Sequence, residues 1–406
     1  MIKIDFNFRA VGQGAFYTGI FNHRNGKQFS FVYDCGTDSS RQYIDHEITN
    51  FVSETNSQKI DILFISHFHK DHINKIGELL IQTGGAKLAI LPYLTPDELV
   101  LAYIDINMSG GLEPDTLAFI QNPTSFLQER KVDNIIFIHP SDDGDSGVEE
   151  EPQEIKTDLD SPDFDFEVSN NLRPNNAISQ DDPKVKHFYD KGNFSIVGFW
   201  EFKFFNKTRD IATLNTFSQE MQAILGYATF NFNDLADYIA TNKTTFETDF
   251  NQIYSRNFGY GQLINDTSLV IYHGALNNLL RLSRMFFRTF PRSFGTGRTG
   301  TLLSGDIKFN QDCLNQIQLK WGITKYIDSV SFFQIPHHGA NYYVEPIVIS
   351  SYQNVHWWII NFGLGNKYRH PRQEIVDIIM NHKNSGDIFC NTQSNNFRYG
   401  CVLLRR

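Results

Sequence analysis

The chain has 406 residues, of which 41% are hydrophobic and 20% charged, so it can form one large domain with insertions or two ordinary domains. Its 36 Lys and Arg against 46 Asp and Glu give a formal net charge of −10, which by itself argues against a nucleic-acid partner. The four cysteines form no CxxC pair and are too few for a disulfide scaffold. Because the N-terminus lacks a signal-peptide pattern and apolar runs are short, we expect a cytoplasmic protein that does not associate with a membrane.

The acidic charge is concentrated in one segment. Residues 141–167 contain twelve acidic residues and one lysine, and the rest of the chain holds 35 basic against 34 acidic residues. The net charge therefore does not exclude a nucleic-acid substrate. We predict an acidic, disordered loop insertion over 141–183, and we hypothesise that residues 142–167 within it occupy an arginine-lined groove as a phosphate mimic.

The remaining elements alternate between strands and helices, which predicts a layered α/β domain. The predicted strands are Phe29–Tyr33, Ile60–Ile65, Leu88–Leu91, Asn134–Ile138, Phe194–Phe205, Ser268–Tyr272, Thr301–Leu303, Ser329–Ile335 and Val355–Ile360. The predicted helices are Arg41–Glu54, His72–Gln82, one that begins with a capping box at Thr95–Glu98, Leu214–Asn257 and Pro371–His382. Residues 207–258 are a predicted helical insertion, either a lid, an oligomer contact or simple helical packing.

The run from His67 to His72 carries the chemistry. It reads HFHKDH directly after an apolar strand, so three imidazoles and the carboxylate of Asp71 lie within six residues. His, Asp and their spacing suit Zn²⁺, Mn²⁺ or Fe. A metal site is therefore the first functional prediction.

The motif HxHxDH after a strand resembles that of the metallo-β-lactamase fold hydrolases. The resemblance is narrower, to the soluble hydrolase domain of the ComEC DNA-uptake proteins. The further segments that recur in the same order are Val11–Gly14, Tyr33–Gly36, Leu303–Asp306, Ile335–Gly339 and His370–Pro371. This resemblance implies a single domain over 1–406, folded as a four-layer αββα sandwich.

The family's site residues can be placed on the matching motifs. The resemblance implies that His67 and His69 bind one metal, that Asp71 and His72 bind a second, and that Asp306 bridges both. Either His337 or His338 is the late ligand of the second metal, and the sequence does not choose between them. Two divalent ions, Zn²⁺ or Mn²⁺, are the implied cofactors.

Supporting roles follow from the same resemblance. Asp34 would support the metal loop, and Gly12–Gly14 would form a tight turn near the pocket. Where many relatives have a further histidine, this chain has Asn265 and Asp266, either of which could complete the first site. His370 precedes a predicted helix start, where an anion is favoured, so it would contact a substrate phosphate or the leaving oxygen.

A basic insertion is predicted over 274–299, beside the active site. It contains five arginines and no acidic residue, and Arg281, Arg284 and Arg288 fall on one face if the segment is helical. Interleaved phenylalanines make contact with a phosphate backbone and bases plausible. An amphipathic surface helix explains the same pattern.

The predicted function is a metal-dependent phosphodiesterase or nuclease acting on DNA or RNA through a hydroxide that bridges two ions. Asp71 or Asp306 would accept the proton or hold the nucleophile, and His370 completes the predicted catalytic residues. Two alternatives remain: a hydrolase of small esters, lactones or thioesters, or a non-catalytic regulatory module of a multiprotein bacterial system. A regulatory protein partner would be needed in the last case, and nothing in the residues identifies it.

Overall fold

The structure is a computed structural model that describes residues 1–108, 113–141, 161–178, 182–226, 232–258, 263–276, 280–287, 299–321, 325–382 and 386–405. In chain order its strands are β1 (Ile2–Phe8), β2 (Tyr17–His23), β3 (Gln28–Tyr33), β4 (Ile60–Phe64), β5 (Ala86–Pro92), β6 (Val132–His139), β7 (Val168–Asn170), β8 (Val185–Tyr189), β9 (Phe194–Ile196), β10 (Trp200–Phe205), β11 (Val270–Ala275), β12 (Leu280–Phe287), β13 (Gly300–Leu303), β14 (Val330–Gln334), β15 (Trp357–Asn361), β16 (Asp387–Asn391) and β17 (Phe397–Arg405). Its helices are α1 (Arg41–Glu54), α2 (Lys70–Ile73), α3 (Ile76–Thr83), α4 (Pro96–Met108), α5 (Pro114–Gln121), α6 (Pro123–Glu129), α7 (Ile211–Leu225), α8 (Phe232–Phe258), α9 (Leu263–Asp266), α10 (Gln311–Trp321), α11 (Lys325–Ser329), α12 (Pro346–Ser351) and α13 (Gln373–Met380).

The strands form two mixed sheets. The first has the order β12-β17-β1-β2-β3-β4-β5-β6-β8, and the second has the order β16-β15-β14-β13-β11-β10-β9-β7. Each sheet has one parallel part, which is β3 to β8 in the first sheet and β13 to β16 in the second. Ligand sites in such sheets lie beyond the carboxyl ends of the parallel strands. A ligand site is therefore expected among the residues that follow β3, β4, β13 and β14.

Three separate hydrophobic cores show that these elements are stacked in four layers. The central core lies between the sheets and is rich in aromatic rings, among them Phe6, Phe31 and Trp200. A second core joins the outer face of the first sheet to α1, α3 and α4 to α8. A third joins the outer face of the second sheet to α10, α12 and α13. The predicted α/β, four-layer αββα architecture is therefore confirmed.

The helical insertion extends one of these layers. Leu214 and Phe217 of α7 belong to the core beneath the first sheet, together with residues of α4 and α8. Asp97 of α4 accepts a hydrogen bond of 2.8 Å from the Ser218 hydroxyl of α7. Of the three interpretations of residues 207–258, helical packing describes the contacts best. No helix of the described residues is both long and apolar enough to cross a bilayer.

Part of the predicted acidic loop is ordered within the sandwich. Residues 142–160 and 179–181 lie outside the described residues, and the phosphate-mimic hypothesis concerns mainly 142–160. The prediction of disorder is wrong for 161–178, because β7 pairs with β9 there and Phe164 is buried between the sheets. A few buried apolar side chains hold this stretch in place. The prediction of disorder overlooked them because the composition of the stretch is mainly acidic.

The predicted helix with arginines on one face is also wrong. Leu280–Phe287 is the strand β12, which pairs antiparallel with β17 and places Arg281 opposite Leu404 and Arg284 opposite Val402. Without β12, β17 would be an unpaired sheet edge, and such an edge favours addition of a strand over formation of a helix. Arg288 lies outside the described residues. Contact of these arginines with substrate remains a prediction.

Candidate metal centre

The functional residues follow the carboxyl ends of parallel strands in both sheets. Asp34 follows β3 and His67 follows β4 in the first sheet, whereas Asp306 follows β13 and His338 follows β14 in the second. The His67 Nε2 atom is 3.6 Å from Asp306 Oδ2, which shows that the two sheets bring their strand ends to one place. Residues far apart in sequence thus form a single buried cluster.

A buried hydrogen-bond network sets the orientation of two imidazoles. The Asp34 carboxylate accepts hydrogen bonds from the Ser66 backbone N–H (2.7 Å), the Ser66 hydroxyl (2.6 Å) and Nδ1 of His72 (2.8 Å). Because the Ser66 hydroxyl donates to Asp34, its oxygen accepts from Nδ1 of His67 at 2.9 Å. Both rings therefore keep their protons on Nδ1 and turn Nε2 away from this network.

The two Nε2 atoms point at the Asp306 carboxylate. His72 Nε2 is 3.2 Å from Asp306 Oδ1, and His67 Nε2 is 3.6 Å from Oδ2. Both nitrogens are buried and make no hydrogen bond within the described part of the chain. Two ligand atoms bound to one tetrahedral ion lie about 3.4 Å apart. His67, His72 and Asp306 therefore fit a divalent cation, and their ligand atoms lie within 4.8 Å of one another.

A second group shares His72 and lies beside the first. Asp71, His72 and His338 also bring ligand atoms within 4.8 Å of one another. Nε2 of His338 is 2.9 Å from Asp71 Oδ2, and its Nδ1 donates to the Asn361 carbonyl at 2.8 Å. Because a carbonyl only accepts, Nδ1 keeps its proton, and Nε2 is the nitrogen available to a metal.

The charges of the cluster match this assignment. Burial lowers the pKa of His67 to about 3, with the neighbouring His72 adding to the effect, so His67 is neutral as a ligand must be. Burial also lowers the pKa of His72, but the carboxylates of Asp306, Asp71 and Asp34 raise it by more, to well above its ordinary value. A divalent cation would replace the proton that these carboxylates hold on His72.

The pairing of ligands differs from the one the resemblance implies. His67 is grouped with His72 and Asp306, whereas the motif predicts His67 with His69. His69 is half-buried before α2, with its ring centre 4.7 Å from that of His67, and belongs to neither group found among the described residues. Its role as a ligand remains a prediction.

Both histidines of the late motif contact the cluster, and each one contacts a different carboxylate. His338 contacts Asp71, whereas Nδ1 of His337 is 2.6 Å from Asp306 Oδ2. The two residues have φ of 47° and 57°, and this left-handed turn directs one imidazole to each carboxylate. A Cβ atom on Gly339, where φ is 76°, would lie 2.8 Å from Pro371, so glycine allows the turn to pack closely.

Asn265 and Asp266 serve other contacts. Asp266 Oδ2 pairs with Lys207 at 2.7 Å, and the Asn265 amide donates to the Tyr343 hydroxyl at 2.6 Å. The Tyr343 ring stacks on His337 with ring centres 4.2 Å apart. Neither residue joins a ligand group of the described chain, and Asn265 instead supports His337 through Tyr343.

His370 faces the cluster from the second sheet. Its ring centre is 5.7 Å from that of His337, and its buried Nδ1 makes no hydrogen bond within the described residues. Burial and the nearby His338 and His337 lower its pKa to about 4. The prediction that it precedes the helix directly is wrong, since α13 begins at Gln373 with Arg372 as its N-cap. A side chain rather than a helix end would therefore meet a substrate here.

Two glycine turns support the main chain of the motif. A Cβ atom on Gly14 would lie 2.7 Å from the Asp71 carbonyl oxygen, and one on Gly36 would lie 2.6 Å from it. The Ala15 N–H donates to the same carbonyl at 3.2 Å. The structure thus places the predicted Gly12–Gly14 turn directly behind Asp71.

Some of the residues that support the cluster were not identified from the sequence. Ser66, Asn361 and Tyr343 each orient one histidine of the cluster. Ser66 precedes the motif and could have been singled out. Asn361 acts through its main chain, and the contact between Tyr343 and Asn265 spans 78 positions, so neither leaves a local signal.

Comparison with known proteins gives structural likeness only. No family model matches the sequence, and no curated protein matches it. Among solved structures, the chain is similar to the metallo-beta-lactamase fold protein YhfI from Bacillus subtilis, with a TM-score of 0.37 and 8% identity over 98% of this chain and 99% of that one. It is also similar to a long form RNase Z from yeast, with a TM-score of 0.32 and 9% identity over 96% of this chain and 36% of that one. With scores and identities this low, function has to be inferred from the residues of this chain.

Proposed function

We propose that this chain is a metal-dependent phosphodiesterase that acts on nucleic acid. The observation that carries the proposal is the pair of adjacent ligand groups that share His72 and contain Asp306 and Asp71. Divalent ions bound there would lower the pKa of water toward neutrality and stabilise the negative charge that develops on phosphoryl oxygens.

The residues of the chain have distinct tasks in this reaction. His67, His72, His338, Asp71 and Asp306 would hold the ions, as the orphaned Nε2 atoms of His67 and His72 and the surrounding carboxylates suggest. Asp34 fixes the proton of His72 on Nδ1 and keeps the ring in place. His370, neutral and with an Nδ1 that makes no hydrogen bond within the described residues, would contact a phosphate oxygen or the leaving oxygen.

The experiment combines metal analysis with hydrolysis assays. Purified protein is dialysed, its metal content is measured, and it is incubated with bis(p-nitrophenyl) phosphate and with single- and double-stranded DNA and RNA in Mn²⁺ or Zn²⁺. We expect bound metal and hydrolysis in the wild type, and loss of both in His72→Ala and Asp71→Ala. His46→Ala, an exposed histidine on α1, is the matched control.

The outcomes separate the candidate functions. Hydrolysis equal to that of the His72→Ala variant on every phosphodiester would contradict the proposal. Hydrolysis of a lactone or thioester alone would indicate the small-molecule alternative. Protein that retains no metal and hydrolyses nothing would favour a regulatory module.

A further inference from the structure

Two exposed aromatic rings of the described residues belong to segments that carry histidines of the candidate metal centre. The chain has 36 Phe, 17 Tyr and 4 Trp, and the great majority of those described are at least partly buried. Among the exposed large hydrophobic side chains of the described residues, the aromatic ones are Tyr342, which is 77% exposed, and Tyr368, which is 36% exposed. In the sequence, Tyr342 follows His338 by four positions and Tyr368 precedes His370 by two.

Tyr368 is connected to the cluster by a series of nearly parallel rings. Its ring centre is 5.7 Å from that of His370 at an interplanar angle of 22°, and His370 is 6.4 Å from His338 at 18°. The Tyr368 hydroxyl donates to Asp38 at 3.1 Å, which fixes the ring at the protein surface. Flat groups thus extend from solvent to a candidate metal ligand.

Tyr342 belongs to the segment that carries two other histidines of the cluster. It follows the turn that carries His337 and His338, and its neighbour Tyr343 stacks on His337. His337 in turn is 5.7 Å from His370, so ring contacts connect the segment of Tyr342 with that of Tyr368. Tyr342 has φ of 66°, a conformation that is uncommon for a bulky side chain and is typically retained at functional positions.

Positive charge accompanies these rings. Lys367 Nζ lies 4.9 Å from the centre of the Tyr368 ring, and Arg369 is exposed next to it. Neither cation forms an ion pair with a carboxylate of the described residues, whereas Lys70 lies 3.9 Å from Asp38. Two cations are therefore available for a ligand that carries negative charge.

We infer that Tyr342, Tyr368, Lys367 and Arg369, here termed the tyrosine rim, bind single-stranded nucleic acid across the metal centre. The tyrosines would stack on the bases that flank the scissile phosphodiester, and the two cations would contact neighbouring phosphates. A duplex conceals the faces of its bases, so only a single strand can use both tyrosines. This inference rests on the proposed function and specifies its substrate class.

The test measures binding to the full-length protein without hydrolysis. A fluorescein-labelled oligonucleotide of mixed sequence, single-stranded or annealed to its complement, is titrated with protein in EDTA, and anisotropy gives the Kd. We expect tighter binding of the single strand. Tyr342→Ala and Tyr368→Ala should each weaken it about tenfold, whereas the phenylalanine substitutions keep the ring and most of the affinity. Ile81→Ala, which removes an apolar side chain that is 69% exposed on α3, is the matched control.

Separate outcomes judge the inference and the proposed function. Equal binding of duplex and single strand, no binding of either, or alanine variants that bind like the wild type while thermal unfolding shows them folded, would overturn the tyrosine rim. Because binding is measured in EDTA, it is independent of catalysis. A wild-type protein that binds single strands at the rim but hydrolyses no phosphodiester would overturn the proposed function alone.

Discussion

Asp34 and His72 are joined by a hydrogen bond of 2.8 Å across 38 positions of sequence, in a site where both side chains are buried. This contact determines which nitrogen of His72 faces the candidate metals. The order of the cluster therefore depends on a carboxylate that belongs to neither group of candidate ligands.

Asp34→Asn should weaken metal binding by about 10- to 100-fold, as expected for removal of a partner that orients a ligand. The carboxylate accepts three hydrogen bonds, and an amide offers one acceptor oxygen and brings an NH₂ group against the other donors. Competition with a chromogenic chelator measures the affinity. Asp61→Asn changes a half-buried aspartate that accepts a hydrogen bond from the Ser30 N–H at the opposite end of β4, and it should leave the affinity unchanged. Equal effects of both substitutions would show that Asp34 has no special role.

His338→Ala should remove more bound metal than His337→Ala. His338 is nearly fully buried, is oriented by the Asn361 carbonyl and belongs to a ligand group, whereas the His337 side chain is 25% exposed and belongs to neither group of the described residues. Metal content after dialysis, determined by mass spectrometry, compares the two variants. If His337→Ala lost metal while His338→Ala retained it, the late ligand would have been assigned to the wrong residue.

Divalent metal should stabilise the fold through the cluster. A ligand at 100 times its Kd raises the free energy of unfolding by about 2.7 kcal/mol when it binds only the native state. Urea denaturation with and without Mn²⁺ or Zn²⁺ measures this difference. The increase should vanish in His72→Ala, because His72 belongs to both ligand groups, and should persist in His46→Ala. An undiminished increase in His72→Ala would indicate that the metal binds elsewhere.

His139 should make the fold less stable in mild acid. Burial, reinforced by His187 and Arg209, lowers its pKa to about 3, whereas the unfolded chain titrates near 6.5. In this pH range the unfolded state therefore binds a proton that the native state does not bind. The free energy of unfolding decreases as the pH falls from about 6.5 toward 3. Urea denaturation at neutral pH and in mild acid should show a smaller loss in His139→Gln than in the wild type. An identical pH dependence in both proteins would contradict the assignment.

Local patterns predicted the elements well where the deciding interactions are local. The Thr95–Glu98 capping box is present, with the Glu98 carboxylate 2.8 Å from the Thr95 N–H, and the helix begins there. The predicted strand Ile60–Ile65 corresponds to β4. The segment after Leu280 was misassigned because its structure is decided by pairing with β17, more than a hundred residues later. A helical spacing of arginines carries no information about such a partner.

In the site, too, residues that are close in sequence were predicted better than residues that only the fold brings together. The motif identified His67, Asp71 and His72 because they are adjacent in sequence. The roles of His337 and His338 stayed open because they are set by Asp306 and Asp71, to which only folding brings them close. Similarly, Asp266 pairs with Lys207, which lies 59 positions earlier in the sequence, and the sequence pattern does not reveal this partner.

The membership of His72 in both ligand groups has a consequence for how the centre fills. An imidazole with its Nδ1 proton held by Asp34 has one remaining lone pair, and one lone pair binds one ion. The two groups therefore compete for the same nitrogen. One bound ion would occupy Nε2 of His72, and a second would have to be held by the remaining residues of its group, so the two sites would differ in affinity.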